Sequence, residues 1–478
     1  MTMAGPCGIR LVCLFLKLTG LDQFVAGSYG SQQKVSAAME EAIVKYGEEE
    51  KARLADGMEP KEITICEDEN FHQDPCLVGI EPVSNFILLE KYSADRTAEH
   101  WTACLTEATK GLKLKVIQST SDEGKGIVRH TQEHLGAHHS PDLFHVQHEL
   151  VKGTSVALKN RKKRAQKEVD EAATELNRKQ ESKKFFLTSK RGRGRSPDFD
   201  KQIQSAHDKL SEAEKVLEMA QHHQDAAKEA IRGIAVDYHP YDLESGEEKT
   251  SEQVATLLNK RFSEIECIAA AANLPANSIK RIEKAKRVMG SMVATIAFFY
   301  LMVRARVEAL GLTPVQERAT YHHLIPGIYL SCVSRKSSNS ERRNALRQRS
   351  EKLLAPLLVH NGPLGDCTRE QKGFIEDVAT ECAQLFQRSS SCVEGRNGYL
   401  SLRHHGLHRI SDRKLAALTT VHNFFIQDSQ ERTPAERLFG AKPKDLFQYL
   451  LDRLDLPGRP AQKRSTTRGR QGPFLAVA

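Results

Sequence analysis

Glu62-Ile-Thr-Ile-Cys66 alternates polar and apolar residues and then runs into three acids, Glu67-Asp68-Glu69. A period of two is the pattern of a half-buried strand, and the acids are read as its end. Downstream, Cys76-Leu-Val-Gly-Ile80 and Phe86-Ile-Leu-Leu-Glu90 flank the turn Glu81-Pro-Val-Ser-Asn85, which predicts a hairpin. Residues 97–110 follow as a helix with Trp101, Leu105 and Ala108 on one face. Lys113-Leu-Lys-Val-Ile-Gln118 is a further strand, ending in Ser119-Thr-Ser-Asp122-Glu-Gly-Lys-Gly126. Another helix and the short apolar stretch Leu143-Phe-His-Val146, read as a last strand, complete the block. Hairpin-joined strands followed by helix–strand crossovers describe a mixed sheet with helices packed on its faces.

Around this block, 478 residues are enough for two or three compact units. Hydrophobic residues make 39% and charged residues 28%, the balance of a globular chain and not of a disordered one. The net charge of +8 and pI near 8.8 permit a polyanion partner without requiring one. Ten scattered cysteines without a Cys-x-x-Cys pair fit a reducing compartment, so a cytoplasmic location is expected. The apolar stretch Ile9-Arg-Leu-Val-Cys-Leu-Phe-Leu16 ends at Lys17 with no clean cleavage site after it, and is read as a buried helix. Met292-Val-Ala-Thr-Ile-Ala-Phe-Phe-Tyr-Leu-Met-Val303 falls short of the roughly 20 residues a bilayer needs. It is read as core, and no membrane partner is expected.

Residues 1–60 form an N-terminal helical segment: the apolar helix, the turn Gly27-Ser-Tyr-Gly30 and a second helix from Ser31 to Met39. This order suits a helix-turn-helix that binds DNA, and equally two packed helices at a domain edge. Residues 61–150 hold the sheet. Residues 151–388 are expected to be a helical insertion, opening with an antiparallel hairpin between about 150 and 235. Lys159-Asn-Arg-Lys162-Lys163-Arg164 lies on its first helix, and Ser189-Lys-Arg191-Gly-Arg193-Gly-Arg195-Ser-Pro197 breaks it at the tip. These cations suit phosphates; they also suit a solvated charged face. Further breaks are expected at Pro275, Gly311-Leu-Thr-Pro314, Pro326-Gly327 and Asn361-Gly-Pro-Leu-Gly365. Residues 389–455 return to the sheet domain, with a helix over 411–427, and 456–478 read as a basic disordered tail carrying Arg459, Lys463, Arg464, Arg468 and Arg470.

The 389–455 segment opens on Ser389-Ser-Ser-Cys-Val-Glu394-Gly-Arg396-Asn397-Gly-Tyr-Leu-Ser401. Two glycines together cost about 2 kcal/mol of helix propensity, so something must compensate them. Glu394 suits either a carboxylate facing a metal or an ordinary acid at a helix start. Asp68 and Asp122 end adjacent expected strands, and such ends converge in open sheets. With Glu394 they make three carboxylates able to hold two Mg²⁺ ions, or Mn²⁺ in their place, for phosphodiester chemistry. Asp68 competes with Glu67 and Glu69, and Asp122 with Asp142.

The blocks Glu62 to Asp68, Cys76 to Leu89, Ser121-Asp-Glu-Gly-Lys125, Pro141-Asp-Leu-Phe-His-Val-Gln-His148 and Val393-Glu-Gly-Arg-Asn-Gly398, in this order, resemble bacterial insertion-sequence transposases with an Asp-Asp-Glu triad. More distantly they are similar to the Mutator group, in which an all-helical insertion also precedes the third acid. The resemblance implies an α/β plus all-α chain, a ribonuclease H-like mixed sheet interrupted by a large helical insertion. It implies that Asp68, Asp122 and Glu394 are the catalytic metal ligands of a DNA transposase acting on element ends and target DNA, as a homo-oligomer on double-stranded DNA in the nucleoid. Arg396, Asn397 and Arg403 follow Glu394 and are expected at DNA, with Lys162, Lys163, Arg164, Arg191, Arg193 and Arg195 from the hairpin. His145 and His148 resemble a structural Phe-His block, expected in packing or at a DNA phosphate, and His404 or His405 is a candidate beside the scissile phosphate. The abrupt start Met1-Thr-Met-Ala-Gly5 leaves open the other reading, a truncated or inactive transposase-derived protein that still binds DNA.

Overall fold

The computed structural model describes residues 2–3, 5, 7–71, 74–189, 197–359, 362–407 and 410–455. The chain is a mixed α/β protein dominated by helix, organised around one five-stranded sheet. Two helices come first, α1 (Ile9–Leu18) and α2 (Tyr29–Asp56). The strands are β1 (Lys61–Phe71), β2 (Pro75–Glu81), β3 (Phe86–Tyr92), β4 (Leu114–Ser121) and β5 (His138–Pro141). Helix α3 (Ala98–Thr109) crosses from β3 to β4, and α4 (Lys125–Arg129) with a π-helical turn over His130–His134 crosses from β4 to β5. The strand order is β3-β2-β1-β4-β5, with β1, β4 and β5 parallel and β2 and β3 antiparallel to their neighbours.

Three sequence expectations change here. First, Glu67-Asp68-Glu69 does not end β1. Pairing with β4 stops at Cys66 opposite Thr120, while pairing with β2 continues to Phe71 opposite Pro75. Asp68 therefore sits inside a strand, just past the point where β4 leaves it. The acids have partners there: Ser119 donates to one oxygen of Glu67 over 2.5 Å, the Glu69 N–H donates to Asp68 at 2.8 Å, and Arg96 pairs with Glu69 at 2.8 Å. Second, the last strand is His138–Pro141, and Leu143–Val146 begins helix α5 (Leu143–Thr188) instead. Asp142 caps that helix by accepting from the Phe144 N–H at 2.7 Å, and Leu143, Val146 and Leu150 then repeat at helical spacing along its buried side. Third, α1 is not buried: Leu11, Leu14, Phe15 and Leu18 are exposed, since α1 packs mainly on α2 and its apolar residues surround it. Helix α2 runs on to Asp56, and its Ile43, Tyr46 and Leu54 enter the core of the sheet domain.

Helices α5 and α6 (Phe199–Asp237) form the long antiparallel hairpin. The helical domain continues through α7 (Ser251–Ala271), α8 (Ala276–Arg287), α9 (Met289–Glu308), α10 (Pro314–Ala319), α11 (Ile325–Lys336), α12 (Ser340–Leu358) and α13 (Arg369–Leu385). Taken together, Ala276–Glu308 is long and apolar enough to cross a membrane by length and composition. In the fold, Met292, Ile296, Phe299, Val303 and Val307 of α9 are spine residues of the helical core. Pro326 is not a break: a π-helical turn over Thr320–Leu324 leads straight into α11, where proline occupies the first turn and its missing N–H costs no bond. The chain returns to the sheet through α14 (Ser391–Leu407), α15 (Asp412–Phe424), α16 (Pro434–Phe439) and α17 (Leu446–Arg453). Phe424 meets Tyr46 and Phe86 edge-on, closing the second core around the sheet. All ten cysteines are free thiols. The basic segment 456–478 lies outside the described residues.

Candidate functional site

Side chains alternate across β1, and that alternation sorts its three acids. Glu67 and Glu69 point to the face covered by α3 and the His130 turn. There Glu67 is fully buried 3.3 Å from His130, and Glu69 accepts from Trp101 as well as pairing with Arg96. Asp68 points to the opposite face, where α5 and α14 begin. Its carboxylate, the His145 imidazole and the Glu394 carboxylate each offer a ligand atom, and these atoms lie within 4.8 Å of one another.

A double tie brings α5 and α14 to that face. The Leu143 N–H donates to the Arg388 carbonyl at 2.9 Å, and the Asp142 carboxylate accepts from both the N–H and the hydroxyl of Ser390. The Ser390 carbonyl in turn accepts the N–H groups of Val393 and Glu394, starting α14. His145 and Glu394 are thus each held in the first turn of a helix, and the starts of those helices are joined. Asp142 is spent on these bonds, and Asp122, immediately past the end of β4, is not one of the residues whose ligand atoms converge. Asp122 accepts from the Gly124 N–H at 2.9 Å and adds its negative charge to the field at Asp68.

That field is visible in the acid itself. Burial pushes the Asp68 carboxyl up to about 7; the Glu69 N–H and His145 oppose the rise, and the charges of Asp122 and Glu394 reinforce it. The neighbouring Glu123 is also raised, first by burial and then by Asp122. Asn397, one turn beyond Glu394, donates to Asp68 at 3.4 Å and accepts from Asn70 at 2.9 Å, so it steadies the Asp68 carboxylate. The His145 Nε2 atom is buried without a hydrogen-bond partner, 3.8 Å from an Asp142 oxygen. A partnerless ring nitrogen beside carboxylates that repel one another is the donor arrangement a divalent cation relieves. Two carboxylates offer the oxygen ligands Mg²⁺ takes, and the imidazole beside them suits Mn²⁺ or another transition metal equally.

The expected DNA contacts fare differently. Arg396 is buried and makes a two-pronged ion pair with Glu90 at 2.7 and 2.6 Å, with Thr419 also donating to Glu90. Arg403, seven residues on and so on the same inward side of α14, is fully buried and donates to the Thr2 and Met3 carbonyls. Neither is free to meet a phosphate. Their spacing around Tyr399, over whose ring both guanidinium groups lie, marks a packed face. Asn397 belongs to the acids, as described. Lys163 and Arg164 are exposed on α5 and Lys162 half-buried; Arg191, Arg193 and Arg195 lie outside the described residues. His404 faces Tyr92 at 3.2 Å, and His405 is exposed. The two residues sequence reasoning placed elsewhere are His145 and Asn397. The signal for His145 was its place three residues after a capping aspartate, which sets it on the first turn of a helix pointing back at the sheet.

A groove of about 680 Å³ along β3, α2, α3 and α15 contains none of Asp68, Asp122, His145 or Glu394. Residues 320–466 match the model of a family of unknown function, DUF6399. That match spans less than a third of the chain; it includes Glu394 and leaves out Asp68, Asp122 and His145. No curated protein and no solved structure matches the chain.

Proposed function

We propose that this chain is a DNA transposase with a ribonuclease H-like core, cutting and joining phosphodiester bonds with Asp68, Asp122 and Glu394. The observation that carries the reading is the convergence of Asp68 and Glu394, from β1 and α14, in a field to which Asp122 contributes. Support comes also from the central position of β1, from parallel β4 and β5 beside it, and from a helical domain inserted between β5 and the third acid.

Divalent cations held by these acids would supply Lewis acidity toward the phosphodiester. The protein's own part is positional. The Glu69 N–H and the Asn397 amide fix the two oxygens of Asp68, and the Asp142–Ser390 tie holds Glu394 and His145 on one side of it. Near neutral pH Asp68 carries a proton part of the time, and it releases that proton when positive charge enters the site. Gly395 and Gly398 on α14 are exposed, and a Cβ on either would touch nothing within 4 Å. The protein itself has no packing use for them, and they leave the helix surface beside Glu394 low enough for a nucleic-acid backbone to approach.

Cleavage of a labelled duplex carrying the element's own ends tests the reading. Activity is expected with Mg²⁺ and not with EDTA, and Asp68→Asn, Asp122→Asn and Glu394→Gln are each expected to lower it by about a thousandfold or more while circular dichroism stays unchanged. Full activity in any one variant removes that residue from the triad.

A further inference from the structure

The Asp142 cap makes α5 begin at Leu143, and the helical repeat then sorts its first turns into two sides. Leu143, Val146, Leu150, Thr154 and Leu158 are buried on one side. Phe144, His148, Lys152, Lys159 and Lys163 follow one another at steps of four and seven along the other, and all five are exposed. Phe144 is the odd member of that row. The buried side of α5 is filled without it, and it keeps 48% of its surface in water.

The ring is nonetheless held. It stacks on His148 with centroids 5.5 Å apart and planes inclined by 26°, and it meets the His145 ring edge-on at 5.6 Å. His145 is one of the three residues whose ligand atoms converge at Asp68, so the Phe144 ring stands at the rim of the site itself. A flat ring supported by a second ring, half open to solvent and next to a candidate metal ligand, is a surface on which another flat ring can lie.

Charge along the same side says what would carry that ring. Between Leu143 and Lys167 the only acid is Glu149, against seven Lys and Arg. Glu149 is engaged by α8, where Arg281 meets it at 2.8 Å and Lys284 at 3.7 Å. Among the described residues Lys152, Lys159 and Lys163 make no ion pair. They stand roughly 6, 17 and 23 Å along the helix beyond His148, at 1.5 Å per residue. The row thus runs from the site through two aromatic rings to three unmatched cations, the combination that binds a strand of nucleic acid with its bases uncovered.

We infer that the Phe144–His148 pair is a stacking platform for an unpaired base at the Asp68–Glu394 site, and that Lys152, Lys159 and Lys163 hold the phosphates of the single strand that carries it. This rests on the proposed reading of that site and adds the form of its nucleic-acid substrate at the point of reaction. A base inside a duplex has both faces covered by its neighbours, so the ring selects a nucleotide that has left the stack. Every base has a π-face and a lysine is a point charge, so neither element reads sequence. What the platform supplies is register, because a base resting on Phe144 keeps its own backbone beside the first turn of α5.

The test measures binding of the full chain to labelled oligothymidylate and to a labelled duplex of the same length, both in EDTA. Phe144→Ala is expected to weaken single-strand binding about tenfold or more and duplex binding by less than about twofold, whereas Phe144→Trp should stay within about threefold of the parent on the single strand. Lys152→Gln/Lys159→Gln/Lys163→Gln is expected to flatten the single-strand slope of log affinity against log salt by about 2, at roughly 0.7 for each phosphate released. Because Phe144 lies off the buried side, circular dichroism of its variants should match the parent. The platform is overturned if the parent binds no single strand, if Phe144→Ala binds it as tightly as the parent, if Phe144→Trp is no better than Phe144→Ala, or if the duplex loses as much as the single strand. An unchanged slope in the lysine variant overturns the phosphate track. No metal is present, so each of these outcomes leaves the catalytic reading as it was. Failure of that reading shows instead as absence of Mg²⁺-dependent cleavage while the Phe144 effect on single-strand binding persists.

Discussion

The Asp142 carboxylate accepts two hydrogen bonds from Ser390, one from its N–H and one from its hydroxyl, and 248 residues of sequence separate the two. The same carboxylate caps α5 through Phe144, so one buried acid holds the starts of both helices that carry the site. Asp142→Ala removes the cap and leaves Ser390 unmatched in the interior, which should cost roughly 2–4 kcal/mol. Urea unfolding measures it; a loss under about 0.5 kcal/mol would mean that the tie bears no weight. Ser390→Ala, which keeps the cap, should lose less.

Asp68 sets a pH dependence of known sign. Its carboxyl is raised from an ordinary value of 3.8 to about 7, so the folded state holds the proton more tightly than the unfolded chain does. The neutral form therefore stabilises the fold below about pH 4, and that contribution is lost as pH rises through about 7. Without divalent metal, Asp68→Asn should melt higher than the parent at pH 8, with the gap closing by pH 5. Added Mg²⁺ or Mn²⁺ should raise the parent's melting temperature more at pH 8 than at pH 5.5, because protons compete for the same oxygens. Equal shifts at both values would argue against Asp68 as a ligand.

Gly395 and Gly398 stand in a helix with open space where a side chain would go. Alanine at either should stabilise the protein by about 0.5–1 kcal/mol, since it restricts the unfolded chain and fits the helix. If a nucleic-acid backbone passes over them, the same variants should lower cleavage. Stabilisation with full cleavage would show that the glycines have no part in substrate approach.

Arg396 and Glu90 form a buried pair, 3% and 0% exposed at the side chain. Removing one member strands the other, so Arg396→Ala should destabilise by about 3–5 kcal/mol, whereas Arg396→Met with Glu90→Leu should recover much of that. Chemical denaturation distinguishes them. A phosphate-binding arginine would behave otherwise, with normal stability and a shallower salt dependence.

The sheet was legible because period-two alternation and the Pro82–Asn85 turn are local signals that tertiary packing reinforced: Glu81 accepts from the Val83 and Ser84 N–H groups, and Asn85 adopts a φ of 65°. Asp122 was expected just past a strand and lies just past β4, whereas Asp68, expected at a strand end, lies inside β1. The end of β1 was not legible, because the hydrogen bond to one oxygen of the buried Glu67 comes from Ser119, 52 residues away, which no local pattern reveals. The Leu143–Val146 stretch is too short for its period to separate strand from helix; the capping bond of Asp142 decides it. Arg396 and Arg403 misled for a related reason. Arginine on a helix beside an acid reads as a surface cation until its partners are known, and those partners, Glu90 and the backbone of residues 2 and 3, lie more than three hundred positions away.

Asn397 and Asp68 meet across 329 residues, and Asn397 and Asn70 across 327. Synthesis on the ribosome runs in one direction, so the segment bearing Glu394 emerges after the sheet strands and the whole helical domain have left the exit tunnel. For most of its production the chain is a growing polypeptide that holds Asp68 and His145 without Glu394. The cluster of Asp68, His145 and Glu394 thus closes last, and a chain that stops short of α14 cannot assemble it.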